Sequence, residues 1–588
     1  MFIEVILPIK LTWAPTYRAD AQIIRGQRVR VRFARKEYVG VVSRTDVRPD
    51  FDTSKILDIL SVEDRLPQIS ETELKLWEFM AGYYLCTIGE VYKAAYPSTK
   101  LRSEEVVVAA GIRKEASRAK KLEVLQARVK RLEIRLLAKE AAIAASKEGT
   151  KARAGFEEGR KKILAELQAA RAAVDSLSTE EAAPASPLTA TRGAKPIPGK
   201  PVLLQGDMAS RAAEYSRLLK ETLARGGQAL VLTPEKALCS ALEKRLDPGI
   251  PVMICHSDCT AAQRRKVADT LREGGPVAVL GSRSCIFLPF SNLQLIIIDE
   301  EQDQSYKQTE PAPRYNGRDA ALTLGGIHSA QVVLGSKAPS LETELNVLSG
   351  KFLRQEAVPA GPCSEELEII DITKERRKNG MLGALSRKLL AAVAETGGKV
   401  VFIRGWEQAE ELKALCNSIP GAEEVQIMSL PELKRDAPSD IALLAVLQAD
   451  AFLDKDDFRS DERAVQLVAM LQNFSPRVII QTAVSERFCS SRSMQDLLKE
   501  RRDFNLPPYS RAVDLLFNDR EPQRRQMMMR LLAGAVPGAA VMDGRIRWNL
   551  ARGRQLQEEK RELAAAVQRI EDAYRYAGHI IIDVDPKD

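Results

Sequence analysis

Four apolar residues, Leu295, Ile296, Ile297 and Ile298, run directly into three carboxylates, Asp299, Glu300 and Glu301, and then Gln302. A short apolar run rich in β-branched residues reads as a strand buried on both faces, as in a parallel sheet covered by helices. The carboxylates then fall at the C-terminal tip of the strand, the place where open α/β sheets bind their ligands. The first carboxylate of such a tip can hold Mg²⁺ on nucleotide phosphates, and the second can orient or deprotonate an attacking water. Alone, the run is equally consistent with an acidic strand end that caps a helix.

At 588 residues the chain is far longer than one domain, which predicts roughly three to five. A net charge of +8, from 88 basic and 80 acidic residues, permits nucleic-acid binding without requiring it, so any basic surface must be local. No apolar run approaches the roughly 18 residues of a membrane span, and Met1-Phe-Ile-Glu-Val5 reads as a strand rather than a leader, so a cytoplasmic protein without membrane partners is expected. No two cysteines stand as C-x-x-C; Cys255 and Cys259 with His256 lack the second half of a metal site, and no metal is expected.

Residues 1–100 read as a small β-rich domain followed by helices. Alternation over Gly26–Phe33 puts Arg28, Arg30 and Arg32 on one strand face and Val29, Val31 and Phe33 on the other. That cationic row can line phosphates or simply be a solvated face. Residues 101–182 carry two heptad patterns, Leu122, Leu125, Val129, Leu132, Leu136 and Ile143, then Ile163, Leu167, Ala170, Val174 and Leu177, which predict two long helices folded back as a hairpin. A proline-rich linker follows over 183–201. Val202–Gln205 is then a buried strand ending at Gly206, with a helix opening near Ser210, the position of a phosphate-binding loop.

The block that follows contains Gly281-Ser-Arg-Ser-Cys-Ile-Phe-Leu-Pro-Phe290, the Asp299-Glu-Glu-Gln302 run, Ser305-Tyr-Lys-Gln308, Pro313-Arg-Tyr-Asn-Gly-Arg-Asp-Ala320 and Leu334-Gly-Ser-Lys-Ala-Pro-Ser-Leu-Glu342. Together these resemble the primosomal protein N′ family, PriA, superfamily 2 DNA helicases of replication restart. Leu7-Pro8, Tyr17, Gly26, Arg28-Val-Arg-Val31, Tyr38-Val-Gly40, Trp77 and Ile88-Gly-Glu90 are similar to that family's N-terminal domain. The implied architecture is multidomain α/β: two RecA-like lobes, an N-terminal β-rich DNA-binding domain, a helical hairpin insertion and a C-terminal α+β domain. Its implied boundaries are 1–100, 101–182, the linker 183–201, lobe one at 202–354, lobe two at 355–500 and the last domain at 501–588.

The resemblance implies that Thr16 and Tyr17 meet a nascent 3′ end, that Arg28, Arg30 and Arg32 contact DNA, and that His256 and Ser257 lie beside it; His256 is equally readable as a packed strand-end residue. It also exposes losses. Aligned on the family's G-x-x-x-x-G-K-T, the loop from Gly206 places Arg211, Ala212 and Ala213 where the second glycine, the lysine and the threonine are expected, leaving Gly206 and Ser210 with Gln302 as a degenerate nucleotide site. The winged helix gives way to the hairpin and the zinc insertion is absent. The arginine-finger motif is reduced to Gln466-Leu-Val-Ala-Met-Leu-Gln-Asn-Phe-Ser-Pro476, so no second-lobe cation is expected at a γ-phosphate. Asp299 and Glu300 are the implied catalytic pair in vestigial form. The expected protein binds forks and 3′ ends, meets primosome and helicase-loading proteins, and has an impaired motor without bound cofactor. The alternative is an active 3′-to-5′ helicase using ATP and Mg²⁺.

Overall fold

The computed structural model describes residues 1–19, 22–50, 52–97, 199–358, 366–453, 457–488, 493–536, 538–542, 544–553, 556–573 and 580–587, with scattered residues between 131 and 167. It divides into two compact units, one of Met1–Thr99 with Ala190–Asp588 and one of Lys100–Thr189.

In the first unit, five strands form the N-terminal sheet in the order Thr16–Arg18, Phe2–Ile6, Lys36–Arg44, Arg28–Phe33, Ser61–Val62, with antiparallel pairings. Two helices, Glu71–Tyr84 and Ile88–Ala95, follow it, each opened by a capping box from Ser70 or Thr87 that satisfies the otherwise unpaired first amides. Stacking of Trp77 on Tyr92 at 5.3 Å joins the two helices.

The Leu295–Ile298 run lies within the strand Leu293–Asp299, all seven residues of which are buried. It is central in a seven-stranded sheet ordered Leu353–Glu356, Val202–Gln205, Gln331–Ser336, Leu293–Asp299, Gln228–Leu232, Val277–Gly281, Val252–Cys255, every pairing parallel. A second parallel sheet runs Glu366–Asp371, Arg477–Thr482, Ile441–Val446, Lys399–Ile403, Gln426–Met428. The C-terminal part is a four-stranded antiparallel sheet in which Ser510–Phe517 lies between Arg545–Ala551 and Ile580–Val584. The chain is thus mixed α/β with a β-rich N-terminal part.

Most of the heptad region lies outside the described residues. Of what is described in the Lys100–Thr189 unit, Leu132, Ile163 and Leu167 are buried against one another. Arg160 pairs with Glu140 at 3.4 Å while Gly159 faces Lys139, so contacts near the middle of the unit join the C-terminal end of one segment to the start of the other.

Candidate functional site

The loop at Gly206 and the carboxylates at Asp299 meet, and Arg211 joins them. Asp207 caps the helix Met208–Ala224, accepting from the Ser210 amide at 2.9 Å and its hydroxyl at 2.7 Å, so Ser210 serves the cap. One turn later Arg211 points inward and is fully buried. Its Nη1 donates to the Gly206 carbonyl at 2.7 Å, its Nε to Asp299 Oδ1 at 3.0 Å and its Nη2 to Glu300 Oε1. Burial works against the charge, but the carboxylates of Asp299 and Glu300 outweigh it and hold the guanidinium well above its ordinary value.

The remaining polar groups at this tip are also satisfied from within. The Tyr215 hydroxyl donates to Asp299 Oδ1 at 2.8 Å, and burial pushes that phenol well above its usual range. Gln302 donates to Glu300 Oε2 at 2.7 Å and accepts from the Ser336 hydroxyl at 2.7 Å. Glu301 accepts from the Ser340 amide at 2.7 Å, the Ser340 and Thr343 hydroxyls at 2.9 Å each, and Arg318 at 3.1 Å. Ala357 covers Gly206 so closely that a β-carbon there would lie 2.8 Å from the alanine methyl.

The acidic tip is largely enclosed, with Asp299, Glu300 and Glu301 3%, 5% and 2% exposed and a loop cation lying against the first two, while Glu300 still lines a cavity. Arg211 also neutralises Asp299 and Glu300. Burying that pair without a counterion would cost several kcal/mol per ion, and the bidentate reach of arginine suits the task.

The second parallel-sheet region brings two cations near this tip. Lys434 and Arg463, with Met208, Gln302, Gln466 and Phe474, line a cavity of about 270 Å³ beside Glu300. That is slightly below the roughly 300–1,000 Å³ of ordinary small-ligand pockets. Both cations are engaged internally: Lys434 pairs with Asp303 at 3.0 Å, and Arg463 with Asp457 at 2.6 Å. Arg459 pairs with Glu342 at 2.9 Å and the Leu341 amide donates to Glu462 at 3.0 Å, so the two parallel-sheet regions are fastened to each other.

The N-terminal arginine row keeps its predicted alternation but not a uniform exposure. Arg28 is buried, its Nε donating to the Pro67 carbonyl at 3.0 Å and its guanidinium lying 4.2 Å from the Tyr96 ring. Arg30 pairs with Glu63 at 2.7 Å, and Arg32, which is exposed, with Glu37 at 3.3 Å. The expected face of three solvent cations is therefore reduced at Arg28, because Pro67 and Tyr96 come from chain that folds back over the sheet. Thr16 is half-buried beside Glu4, while Tyr17 is buried, donates to the Arg32 carbonyl at 3.1 Å and has its phenol pushed up to about 12 by burial. His256 and Ser257 follow the strand Val252–Cys255; Arg264 holds both carbonyls, at 3.1 and 2.9 Å, and His256 Nδ1 accepts from the Asp258 amide at 3.3 Å. Neither lies among the groups gathered around Arg211. Among the described residues no cluster of three or more metal-ligating side chains occurs, and no helix is long and apolar enough to cross a membrane.

Sequence reasoning missed Arg211 as a counterion, Tyr215 as its companion on Asp299, and the Asp303–Lys434 pair. A signal for the first was present: once the lysine is lost, Arg211 is the cation that the loop still carries toward two carboxylates.

Residues 4–97 match the family model of the PriA 3′DNA-binding domain. The replication restart protein PriA of Rickettsia felis is 37% identical over 202 residues, covering 33% of this chain and 31% of that protein. The Haemophilus influenzae PriA is 36% identical over 205 residues (34% and 28%), and the Bacillus subtilis PriA 34% over 205 residues (34% and 25%). These matches span about a quarter to a third of the relatives' length. Among solved structures, RecG bound to a three-way DNA junction matches with a TM-score of 0.30 and 15% identity over 52% of this chain and 42% of that one. The chain is thus similar to the replication restart proteins PriA, with the 3′DNA-binding domain represented at residues 4–97.

Proposed function

We propose that this protein binds forked DNA and nascent 3′ ends in replication restart and assembles primosome and helicase-loading proteins there, without working as an ATP-driven motor. The observation that carries the motor half of this reading is the Arg211 guanidinium across Asp299 and Glu300. In a nucleotide-hydrolysing site those carboxylates serve Mg²⁺ and water, and a loop lysine serves the phosphates. Here the charge a metal would supply comes from the chain, and Ala212 and Ala213 offer neither the lysine nor the metal-binding hydroxyl. The residues present therefore do not fit Mg²⁺-ATP.

DNA binding is supported by the match of residues 4–97 to a 3′DNA-binding domain, and restart by the similarity to PriA. In this reading the two parallel-sheet regions are helicase-type lobes retained as scaffold, at about 202–354 and 355–500, the Lys100–Thr189 unit is a helical insertion, and the antiparallel C-terminal sheet belongs to a domain at 501–588. Thr16, Arg30 and Arg32 remain the proposed DNA-contacting set of the first domain, with the buried Tyr17 positioning Arg32 through its backbone carbonyl and Arg28 holding the sheet on its helices.

The test is ATP hydrolysis stimulated by a fork with an exposed 3′ end, with fork binding followed in the same samples. The expected result is tight binding that discriminates a 3′-hydroxyl from a 3′-phosphate, with no turnover above an Asp299→Asn control. Turnover that this control abolishes overturns the reading in favour of an active helicase.

A further inference from the structure

In the second parallel-sheet region the helix Ile372–Lys378 and the helix Arg387–Glu395 are joined by a two-stranded hairpin, Met381–Leu382 with Leu385–Ser386. Its register pairs Met381 with Ser386, so the end of the first helix and the start of the second are brought side by side. A β-carbon built on Gly380 would lie 3.8 Å from Arg387 Nε, which places that guanidinium over the turn leaving the first helix. Lys374, Arg376, Arg377, Lys378, Arg387 and Lys388 are all exposed.

The neighbouring acids answer only two of the six cations of this collar, Lys374 and Lys388. Glu375 is buried and accepts from Asn379 Nδ2 at 2.9 Å and the Lys388 amide at 3.3 Å. Asp371 caps the first helix and pairs with Lys374 at 3.1 Å, and Glu368 reaches Lys388 only at 4.0 Å. Among the described residues Arg376, Arg377, Lys378 and Arg387 have no carboxylate within ion-pairing distance.

Helix electrostatics account for part of the collar. Arg376, Arg377 and Lys378 lie in a last turn, where cations complement the negative end of the helix dipole. Arg387 and Lys388 lie in a first turn, where the dipole disfavours them. Arg387, exposed, without a carboxylate partner among the described residues and set against the dipole at the start of its helix, suits a polyanion brought from outside.

We propose that this collar is a second DNA-binding surface, which engages the phosphodiester backbone of a duplex arm of the fork. It rests on the DNA-binding reading above and adds a contact outside residues 4–97. Charge complementarity selects the partner: four uncompensated cations at the junction of two helix ends match the closely spaced phosphates of duplex DNA.

The test uses the full chain and a fluorescein-labelled fork with duplex arms, titrated across a series of salt concentrations. Wild type is compared with Arg376→Gln/Arg377→Gln/Lys378→Gln/Arg387→Gln, whose folding is checked by circular dichroism and urea unfolding. The expected result is weaker binding and a fall of roughly 2–4 in the slope of log affinity against log salt, while preference for a 3′-hydroxyl over a 3′-phosphate end is kept. An unchanged slope in the folded variant overturns this surface and leaves the proposed function standing. Failure of the unaltered chain to bind any fork overturns the proposed function and this inference with it. If the variant loses polyglutamate binding but not DNA binding, the collar belongs to an acidic protein partner and the DNA assignment is overturned.

Discussion

Two charged regions of this molecule are built in opposite ways. At the tip of the strand Leu293–Asp299, carboxylates that could serve a ligand are buried, and a fully buried arginine from the neighbouring loop answers them. At the hairpin collar of the second parallel sheet, four cations are exposed and have no acidic partner among the described residues. The first region has its counter-charge inside the fold and the second does not. The difference separates a site whose charges are answered within the fold from one whose cations face solvent.

The largest test of that contrast is Arg211→Ala. It strands Asp299 and Glu300 in a low-dielectric interior, and removal of one partner from a buried charge network costs roughly 3–5 kcal/mol. Urea unfolding should show a loss of that order, partly recovered in Arg211→Ala/Glu300→Gln, which removes one of the abandoned charges. If Arg211→Ala unfolds like wild type, the guanidinium is not the counterion and the contrast fails.

Lys560 is an intermediate case, a buried cation held by the Tyr83 carbonyl at 2.7 Å and lying 3.9 Å from the Tyr83 ring. Burial depresses it to about 8, with Asp585 opposing the shift. A lysine depressed on folding carries a penalty that is full below its folded value and relieved as pH rises toward its unfolded value near 10.4. Any stability advantage of Lys560→Met over wild type should therefore shrink by up to about 3 kcal/mol as pH rises from below 8 to above 10. A pH-independent difference would mean the ammonium is better solvated than its surroundings indicate.

A smaller effect is expected at the fastening between the parallel-sheet regions. Burial opposes the Asp303 charge, yet Lys434 and the Ser305 amide prevail and hold its carboxyl below the ordinary range. Such a carboxylate contributes stability that is full above its unfolded value near 3.9 and is lost as pH falls through its depressed folded value. Lys434→Met should cost roughly 1–3 kcal/mol at neutral pH. The gap should close on acidification, and a gap that persists in acid would assign Lys434 a packing role instead.

The sequence made the local layers of this fold legible because they are periodic. The β-branched run, the alternation of Gly26–Phe33 and the strand-turn-helix at Gly206 each correspond to a described element. What it did not show are partnerships fixed by the tertiary fold. Arg211 and Asp299 stand 88 positions apart, and only the parallel register of Val202–Gln205 beside Gln331–Ser336, itself beside Leu293–Asp299, carries the loop to the carboxylates. Arg28 likewise shares the alternation of Arg30 and Arg32, and its burial depends on Pro67 and Tyr96, tens of residues downstream. Period gives a side chain's face, while the chain that returns over that face decides whether it meets solvent.

The smallest predicted effects lie at the collar, where their sign carries the information. Arg376 is in the last turn of its helix, so Arg376→Gln removes a favourable dipole interaction and should destabilise by about 0.3–1 kcal/mol. Arg387 is in a first turn, so Arg387→Gln removes an unfavourable one and should stabilise by a similar amount. Both single substitutions should nevertheless weaken fork binding and lower its salt slope by roughly 1 each, since a phosphate registers the charge without regard to the helix beneath it. Opposite signs in unfolding with equal signs in binding would establish Arg387 as a cation kept at the expense of the fold for the sake of an external anion. If Arg387→Gln destabilises instead, an internal partner holds that guanidinium, and the collar resembles the Arg211 site more than it opposes it.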